Sequence, residues 1–383
     1  MSSLVSHVRA GHGPDLPTNL ERLVKPFGGW SGIVKPGERI AVKVNLLRGA
    51  EPEKVVTTHP ETLRAVLRAL KEAGAVPFVA DSPGGRTSSQ KMARYWKLSG
   101  FSDVCQEEHV ELRDVEDEGM PFSCPEARRF RRFTVARSFV EAQGIIQLGP
   151  LKTHVLMRLT GGVKLTFGCI PGLDKARLHV TTPDRADFAD MLLDLHLGLA
   201  PRFTIIDGMV AMQGQGPGGG TPYPLGSLFA ARDASALDAA AADRTDHAYA
   251  SVYTLAAAAA RGVIDLDDPY ELAGDPIDRE KGFRHAGRDF ESHIPRSWRR
   301  TGRRLLTARP RVVDAGKCIR CGDCAGICAN GACTLDDLPV YDDDRCVRCY
   351  ACCEVCPTGA IDTVNPPLVR FAQAFSRSDD RQE

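Results

Sequence analysis

The sequence predicts an α/β domain, a mostly parallel sheet with flanking helices, followed by a small cysteine-rich α+β module. Three observations carry this expectation. Short apolar runs alternate with stretches of helical period over residues 1–294. Ten of the 13 cysteines crowd between Cys318 and Cys356. Between the two regions, Pro295 to Arg311 holds seven arginines and two prolines and reads as a basic linker. The expected boundaries are an α/β domain over 1–294, the linker over 295–311, the small module over 312–370 and a disordered tail over 371–383. A chain of 383 residues is long enough for two or three domains.

Each element has a local reason. Arg39–Val44 is a short apolar strand ending at Asn45. Thr58-His59-Pro60-Glu61 reads as a capping box with proline in the first turn. Leu63, Val66, Leu67 and Leu70 follow at helical spacing, and Gly74 stops the helix. Val76–Ala80 is the next strand and ends at Asp81, which makes one β-α-β unit with parallel neighbours. Further strands are expected at Gly144–Leu148, Phe203–Ile206 and Leu228–Ala231. Alanine-rich helices are expected from Ala234 and before Gly262.

The polar residues after these strands form a pattern. Asn45, Asp81, Lys152, His154 and Asp207 each follow the carboxyl end of an expected strand. Ligands of open α/β sheets bind in the crevice there. Two glycine-rich stretches flank the region, Thr160–Lys164 running into Phe167-Gly168, and Gly214–Gly220. Gly216 and Gly218 are candidates for close backbone approach to a ligand. Lys152 and Lys164 are candidates to neutralise a carboxylate or phosphate, and His154 is a candidate proton donor. His179 is either structural or functional by the same reasoning, and Cys169 reads as a packing thiol. Gly214–Gly220 spells G-x-G-x-x-G, but Pro217 interrupts it and no helix follows, so no NAD motif is present. No flavin motif and no Walker loop are found.

The cysteine spacing is the most specific signal. Cys318, Cys321, Cys324 and Cys328 follow a C-x2-C-x2-C-x3-C pattern, and Cys346, Cys349, Cys352 and Cys356 repeat it 28 residues later, with Pro357 after the last. This is the run of bacterial two-cluster ferredoxins, in which the fourth cysteine ligates the other cluster. Cys318, Cys321, Cys324 and Cys356 are therefore expected to hold one [4Fe–4S] cluster, and Cys346, Cys349, Cys352 and Cys328 the other. The competing assignment is two zinc sites, which the interlocked set of eight disfavours. Cys333 and Cys353 fall opposite Ile361 and Ala325 in the repeat and read as packing residues.

Composition bounds the rest. Hydrophobic residues make up 43% and charged residues 26%, an ordinary globular balance. Lys+Arg and Asp+Glu are 49 each, so no bulk basic field points to nucleic acid. No 18-residue apolar run suggests a membrane span. The amino-terminal segment lacks the apolar core of a secretory signal, and a cytoplasmic location is expected.

Several motifs together resemble a known family. They are Val42–Asn45, Thr58–Thr62, Ala80–Ser82, Leu151–His154, Gly162–Lys164 with Phe167-Gly168, and Asp207-Gly208 with Gly214–Pro217. The set resembles the domain of unknown function 362 family, whose members often carry a C-terminal two-cluster ferredoxin module. This chain has Lys164-Leu165-Thr166 where the family usually has Lys-Asn. The residues together lead to an expected iron–sulfur reductase acting on a small anionic, conjugated substrate in the strand-end crevice. An external donor such as ferredoxin or flavodoxin would supply electrons. The alternatives are an electron-transfer protein whose α/β domain docks a partner enzyme, and a non-redox isomerase with structural clusters.

Overall fold

A computed structural model describes residues 2–85, 87–172, 174–286 and 307–366. Among the described residues, twelve strands belong to the large domain. They are β1 (Ser3–Arg9), β2 (Arg39–Lys43), β3 (Val76–Asp81), β4 (Glu111–Asp114), β5 (Gly119–Ser123), β6 (Arg132–Ala136), β7 (Gly144–His154), β8 (Arg158–Thr160), β9 (Phe203–Gln213), β10 (Thr221–Tyr223), β11 (Ser227–Ala231) and β12 (Tyr270–Gly274). The main sheet runs β12-β1-β11-β9-β7-β2-β3-β4, with β8 pairing β7 and β10 pairing β9. β9, β7, β2, β3 and β4 are parallel neighbours, whereas β11 is antiparallel to both β9 and β1. β5 and β6 form a separate hairpin.

The sheet is covered on both faces, and strand periodicity shows it. Ala41, Phe78, Ala80, Ile145 and Ile206 enter one apolar cluster with Phe188, Leu192 and Leu237. The alternate residues Val42, Val79, Ile146, Leu148 and Ile205 enter the other with Leu20, Leu63 and Trp96. Two buried faces explain why these strands read as continuous apolar runs.

Helix Pro60–Glu72 buries Leu63, Val66, Leu67 and Leu70 as its spacing predicts, and Gly74 follows at φ 83°. Its cap differs from the expected box. His59 is the N-cap, and its Nδ1 accepts from the Glu61 N–H at 3.3 Å. The Thr58 hydroxyl is committed elsewhere. It donates to the Leu148 carbonyl at 2.7 Å and accepts from the Asn45 N–H at 2.8 Å.

β7 is the departure that matters for the site. The sequence places its end at Gly149-Pro150, but the strand continues to His154. Proline cannot donate to a ladder, and the pairing with β9 shifts register between Pro150 and Lys152. Past that irregularity β8 takes over as partner, with Lys152 opposite Thr160 and His154 opposite Arg158. Lys152 and His154 thus share one face of a strand that both neighbours hold in place.

The small module keeps the internal repeat as geometry. β13 (Arg309–Val312) pairs with β16 (Ile361–Val364), and β14 (Cys333–Leu335) pairs with β15 (Pro339–Tyr341). Short helices cover Asp323–Gly326 and Ala351–Val355. Left-handed backbone recurs at Arg320 and Arg348, Gly322 and Tyr350, and Gly331 and Gly359, each pair one repeat apart. Arg309–Arg311, expected in the linker, belong to β13. Residues 295–306 of that linker and the tail at 371–383 lie outside the described residues. No helix among the described residues is long and apolar enough to cross a membrane.

Candidate functional site

The strand ends of β2, β3 and β7 open onto a cavity of about 90 Å³. Its walls come from both domains. The α/β domain contributes Lys43, Asn45, Asp81, Lys152, His154 and Lys164, joined by Ser82, Phe167, Lys175 and His179. The module contributes Ile327, Ala351, Glu354 and Val355. Glu354 lies in the three-residue spacer between Cys352 and Cys356, so the cysteine loop itself forms one wall.

The sequence candidates divide three ways. Asn45, Asp81, Lys152, His154 and Lys164 converge on this cavity. Gly216 and Gly218 do not line it; Pro217 between them does. Their smallness serves packing instead. A Cβ at Gly216 would collide with the Thr153 carbonyl, and one at Gly218 would meet Arg48 Nη1 at 2.6 Å and the Glu354 carbonyl at 3.1 Å. Asp207 lies inside β9, not after it, and faces a different cavity, where it accepts from Thr62 Oγ1 at 2.6 Å.

One side of the crevice is an internally neutralised frame. Lys43 Nζ sits 2.9 Å from Asp81 Oδ1, with both residues buried. The other Asp81 oxygen accepts from the Leu46 N–H. Burial pushes the Asp81 carboxyl upward, while Lys43 and Lys175 oppose that shift. Lys175 Nζ donates to the Ser82 carbonyl and to the Pro83 carbonyl at 3.0 Å. A Cβ at Gly168 would overlap Asp81 Oδ1 and Lys43 Nζ, which accounts for glycine in the Phe167-Gly168 step.

The other side carries unspent charge. Lys152 is 3% exposed and has one acceptor, the Val56 carbonyl at 3.0 Å. Burial, reinforced by Lys164, pushes its ammonium down to about 7. Lys164 Nζ has no hydrogen-bond acceptor among the described residues and lies 5.8 Å from the Phe167 ring centre. Burial lowers its pKa as well. The two amines neighbour each other and the Glu354 carboxylate, which opposes the downward shift of both.

His154 is fully buried, and its Nδ1 accepts from the Leu156 N–H at 3.0 Å. Its proton therefore resides on Nε2, which lies 3.2 Å from Glu354 Oε1. The two atoms are not aligned as a hydrogen bond, so both keep unsatisfied polar capacity. Burial, then Lys164, pushes His154 down to about 4. At neutral pH it is an uncharged hydrogen-bond donor and not a strong acid. Glu354 is held at about 2, since His154 and Lys164 outweigh the effect of burial. His179 stacks on Phe188 with ring centres 4.4 Å apart, and burial pushes it to about 4.

The cysteines sort into two sets in space. One cavity is lined by Cys318, Cys321, Cys324 and Cys356. A second is lined by Cys328, Cys346, Cys349 and Cys352, with Cys333 beside them. Four thiols per cavity is the donor set of an iron–sulfur cube. No three His, Cys, Asp or Glu side chains among the described residues converge on a single-ion site. The second cavity shares Ala176, Ile327 and Ala351 with the crevice, and the first shares none of its lining. Outside the module, burial pushes Cys105 and Cys169 up to about 12, the state of packing thiols.

Three site residues were not singled out from sequence. Lys43 reads as an ordinary strand residue. Lys175 and Glu354 carry no motif, although a lone acid between two cluster cysteines is a signal in retrospect.

Comparison with known proteins places the chain in a family. Residues 40–243 match the family described as domain of unknown function DUF362, and residues 338–361 match a 4Fe-4S binding domain. The chain is 34% identical over 269 residues to the thylakoid-associated protein sll1697 of Synechocystis, which covers 68% of this chain and 82% of that protein. Among solved structures, the lactate racemase apoprotein of Thermoanaerobacterium thermosaccharolyticum is similar at 12% identity and a TM-score of 0.37. That likeness covers 55% of this chain and only 51% of the racemase, about half its length. The chain is a member of the DUF362 family that carries a 4Fe-4S ferredoxin-type domain at its C-terminal end.

Proposed function

We propose that the chain is an iron–sulfur reductase that binds a small conjugated acid in the crevice between its two domains. The observation that carries this reading is the shared wall. Glu354, Ala351 and Val355, from the short helix that carries Cys352, line the same cavity as Lys152, Lys164 and His154. Cys318, Cys321, Cys324 and Cys356 would hold one [4Fe–4S] cluster, and Cys328, Cys346, Cys349 and Cys352 the other. When bound, the clusters supply single electrons delivered by an external low-potential redox protein such as ferredoxin or flavodoxin. The lining shared with the crevice makes the second set the inner one. Cys321 of the first set is exposed, as is neighbouring Ile319 at 63%, which suits contact with a donor.

The chain's own residues do the rest. Lys164 and Lys152 grip the acid group and stabilise negative charge as it develops. Reduction of a carbon–carbon double bond takes two electrons from the donor and two protons, one from Lys152 and one from solvent water. Lys152, poised near neutrality, is a better proton donor than His154, whose low pKa leaves it neutral. His154 Nε2–H, 3.2 Å from Glu354 Oε1 but not bonded to it, is free to donate to the bound acid. The frame of Lys43, Asp81 and Lys175 holds the strand ends in register.

The test is anaerobic turnover of a panel of 2-enoic acids with a chemical reductant. Acid-dependent reoxidation of the reduced protein is expected. It should be lost on Lys164→Met and on the double change Cys346→Ala with Cys349→Ala, with folding checked by circular dichroism. Full turnover in the folded double variant would remove the electron relay from the reaction.

A further inference from the structure

A second cavity, of about 260 Å³, lies on the other side of the loop that carries Val56. Its polar lining is His12, His59, Asp207, Thr57 and Glu53, against an apolar wall that includes Val55 and Val210. Pro150 lines both this cavity and the crevice, so the two stand close together without sharing a polar residue.

The arrangement of donors here is specific. Asp207 is saturated. Its Oδ2 accepts from Thr62 Oγ1 at 2.6 Å and from His12 Nε2 at 3.1 Å, and its Oδ1 accepts from the Met209 N–H at 3.0 Å. That fixes the proton of His12 on Nε2 and its ring orientation. His12 stacks on His59 with ring centres 3.8 Å apart. His59 spends Nδ1 as the acceptor of the Glu61 N–H, so its Nε2 must carry the proton. No acceptor meets that Nε2–H among the described residues. Thr57 is 1% exposed, and its hydroxyl has no hydrogen-bond partner. A buried hydroxyl without a partner is costly unless a ligand or water completes it. The cavity also sits at the amino terminus of the 13-residue helix Pro60–Glu72, where the helix dipole favours negative charge.

We propose that this cavity is a ligand site distinct from the crevice, and that it takes a small oxyanion, the carboxylate or phosphate group of a metabolite. His59 Nε2–H and the Thr57 hydroxyl are its donors. His12, held by Asp207, presents Nδ1 beside them and becomes a third donor when protonated. The unpartnered groups buried here are donors, which is why the ligand must bring acceptors. The opposing charges are Asp207, whose carboxylate is screened by its three hydrogen bonds, and Glu53, an exposed side chain.

The proposal is tested with inorganic phosphate and, separately, acetate, added to the full-length protein labelled with ¹⁵N-histidine. Imidazole ¹H–¹⁵N correlations report on both rings, assigned with His12→Gln and His59→Gln. A saturable shift of the His12 and His59 signals is expected with at least one of the two anions. Phosphate alone saturating would identify a phosphate ligand, and acetate alone a carboxylate. Affinity should weaken about tenfold in the nearly isosteric Thr57→Val, as loss of one hydrogen bond predicts. It should be unchanged in Lys164→Met, which touches only the crevice. No saturable shift with either anion, or loss of the shift in Lys164→Met, would overturn the assignment. Neither outcome bears on the reductase reading, whose readout is reoxidation of the reduced protein and not the His12 and His59 signals.

Discussion

Lys152 is held in the fold at a cost, and replacing it with methionine measures that cost. Burial brings its pKa from 10.5 to about 7. A depression of that size corresponds to about 5 kcal/mol of differential cost between the charged and neutral forms. Relaxation at a cavity wall reduces this, and replacing buried charges by apolar groups of similar volume typically returns about 1–4 kcal/mol. We expect Lys152→Met to stabilise the protein by about 2 kcal/mol at pH 6, a rise in Tm on the order of 2–4 °C. The lost hydrogen bond leaves nothing orphaned, because the Val56 carbonyl also accepts from Asn45 Nδ2 at 2.8 Å. The pH dependence follows from the direction of the shift. Between about 7 and 10.5 the unfolded chain binds the proton and the folded chain does not. Wild-type stability therefore rises with pH across that window. The advantage of the methionine variant is full below pH 7 and shrinks toward zero near 10.5. The assay is anaerobic thermal unfolding of both proteins in a pH series, in buffer free of phosphate and carboxylate. A destabilised variant, or a Tm difference that ignores pH, would refute the reasoning.

Other consequences are more local. Gly168→Ala should cost about 3–5 kcal/mol, because its Cβ would break the buried Lys43–Asp81 pair. Gly11→Ala, with open space around it, should change Tm very little by the same unfolding assay. Cys328→Ala should halve the iron content from about eight to about four per chain, measured by metal analysis after anaerobic reconstitution. Binding of a small acid in the crevice should weaken as pH rises through about 7, as Lys152 loses its proton, and calorimetry at pH 6 and 8 would show it.

The architecture was legible because its signals are local. Apolar runs such as Arg39–Val44 and Val76–Ala80 lie within one residue of β2 and β3. The cysteine repeat reappears as matched strands, helices and left-handed residues. Strand ends were less legible. Gly149-Pro150 and Asp207-Gly208 look like stops, yet β7 and β9 each run on to eleven residues. The short antiparallel strands β8 and β10 hold those extensions, and such partners are set by tertiary pairing and not by local composition. The same extension explains Asp207. Placed after a strand it would face the crevice, but within β9 it serves Thr62 and His12 instead. Asn45, Asp81, Lys152 and His154 meet at one cavity because strand ends gather there, and Lys164 joins them from the glycine-rich stretch. Lys43, Lys175 and Glu354 were missed because their importance arises only when separate segments meet.

The account turns on whether electrons held by the module reach a molecule seated between Lys152 and Lys164. Stopped-flow absorbance of the dithionite-reduced protein, mixed anaerobically with a 2-enoic acid, tests this directly. Iron–sulfur absorbance is expected to recover at a rate that saturates with the acid and collapses in Lys164→Met. Reoxidation that is absent across the panel, or equally fast in Lys164→Met, would contradict it.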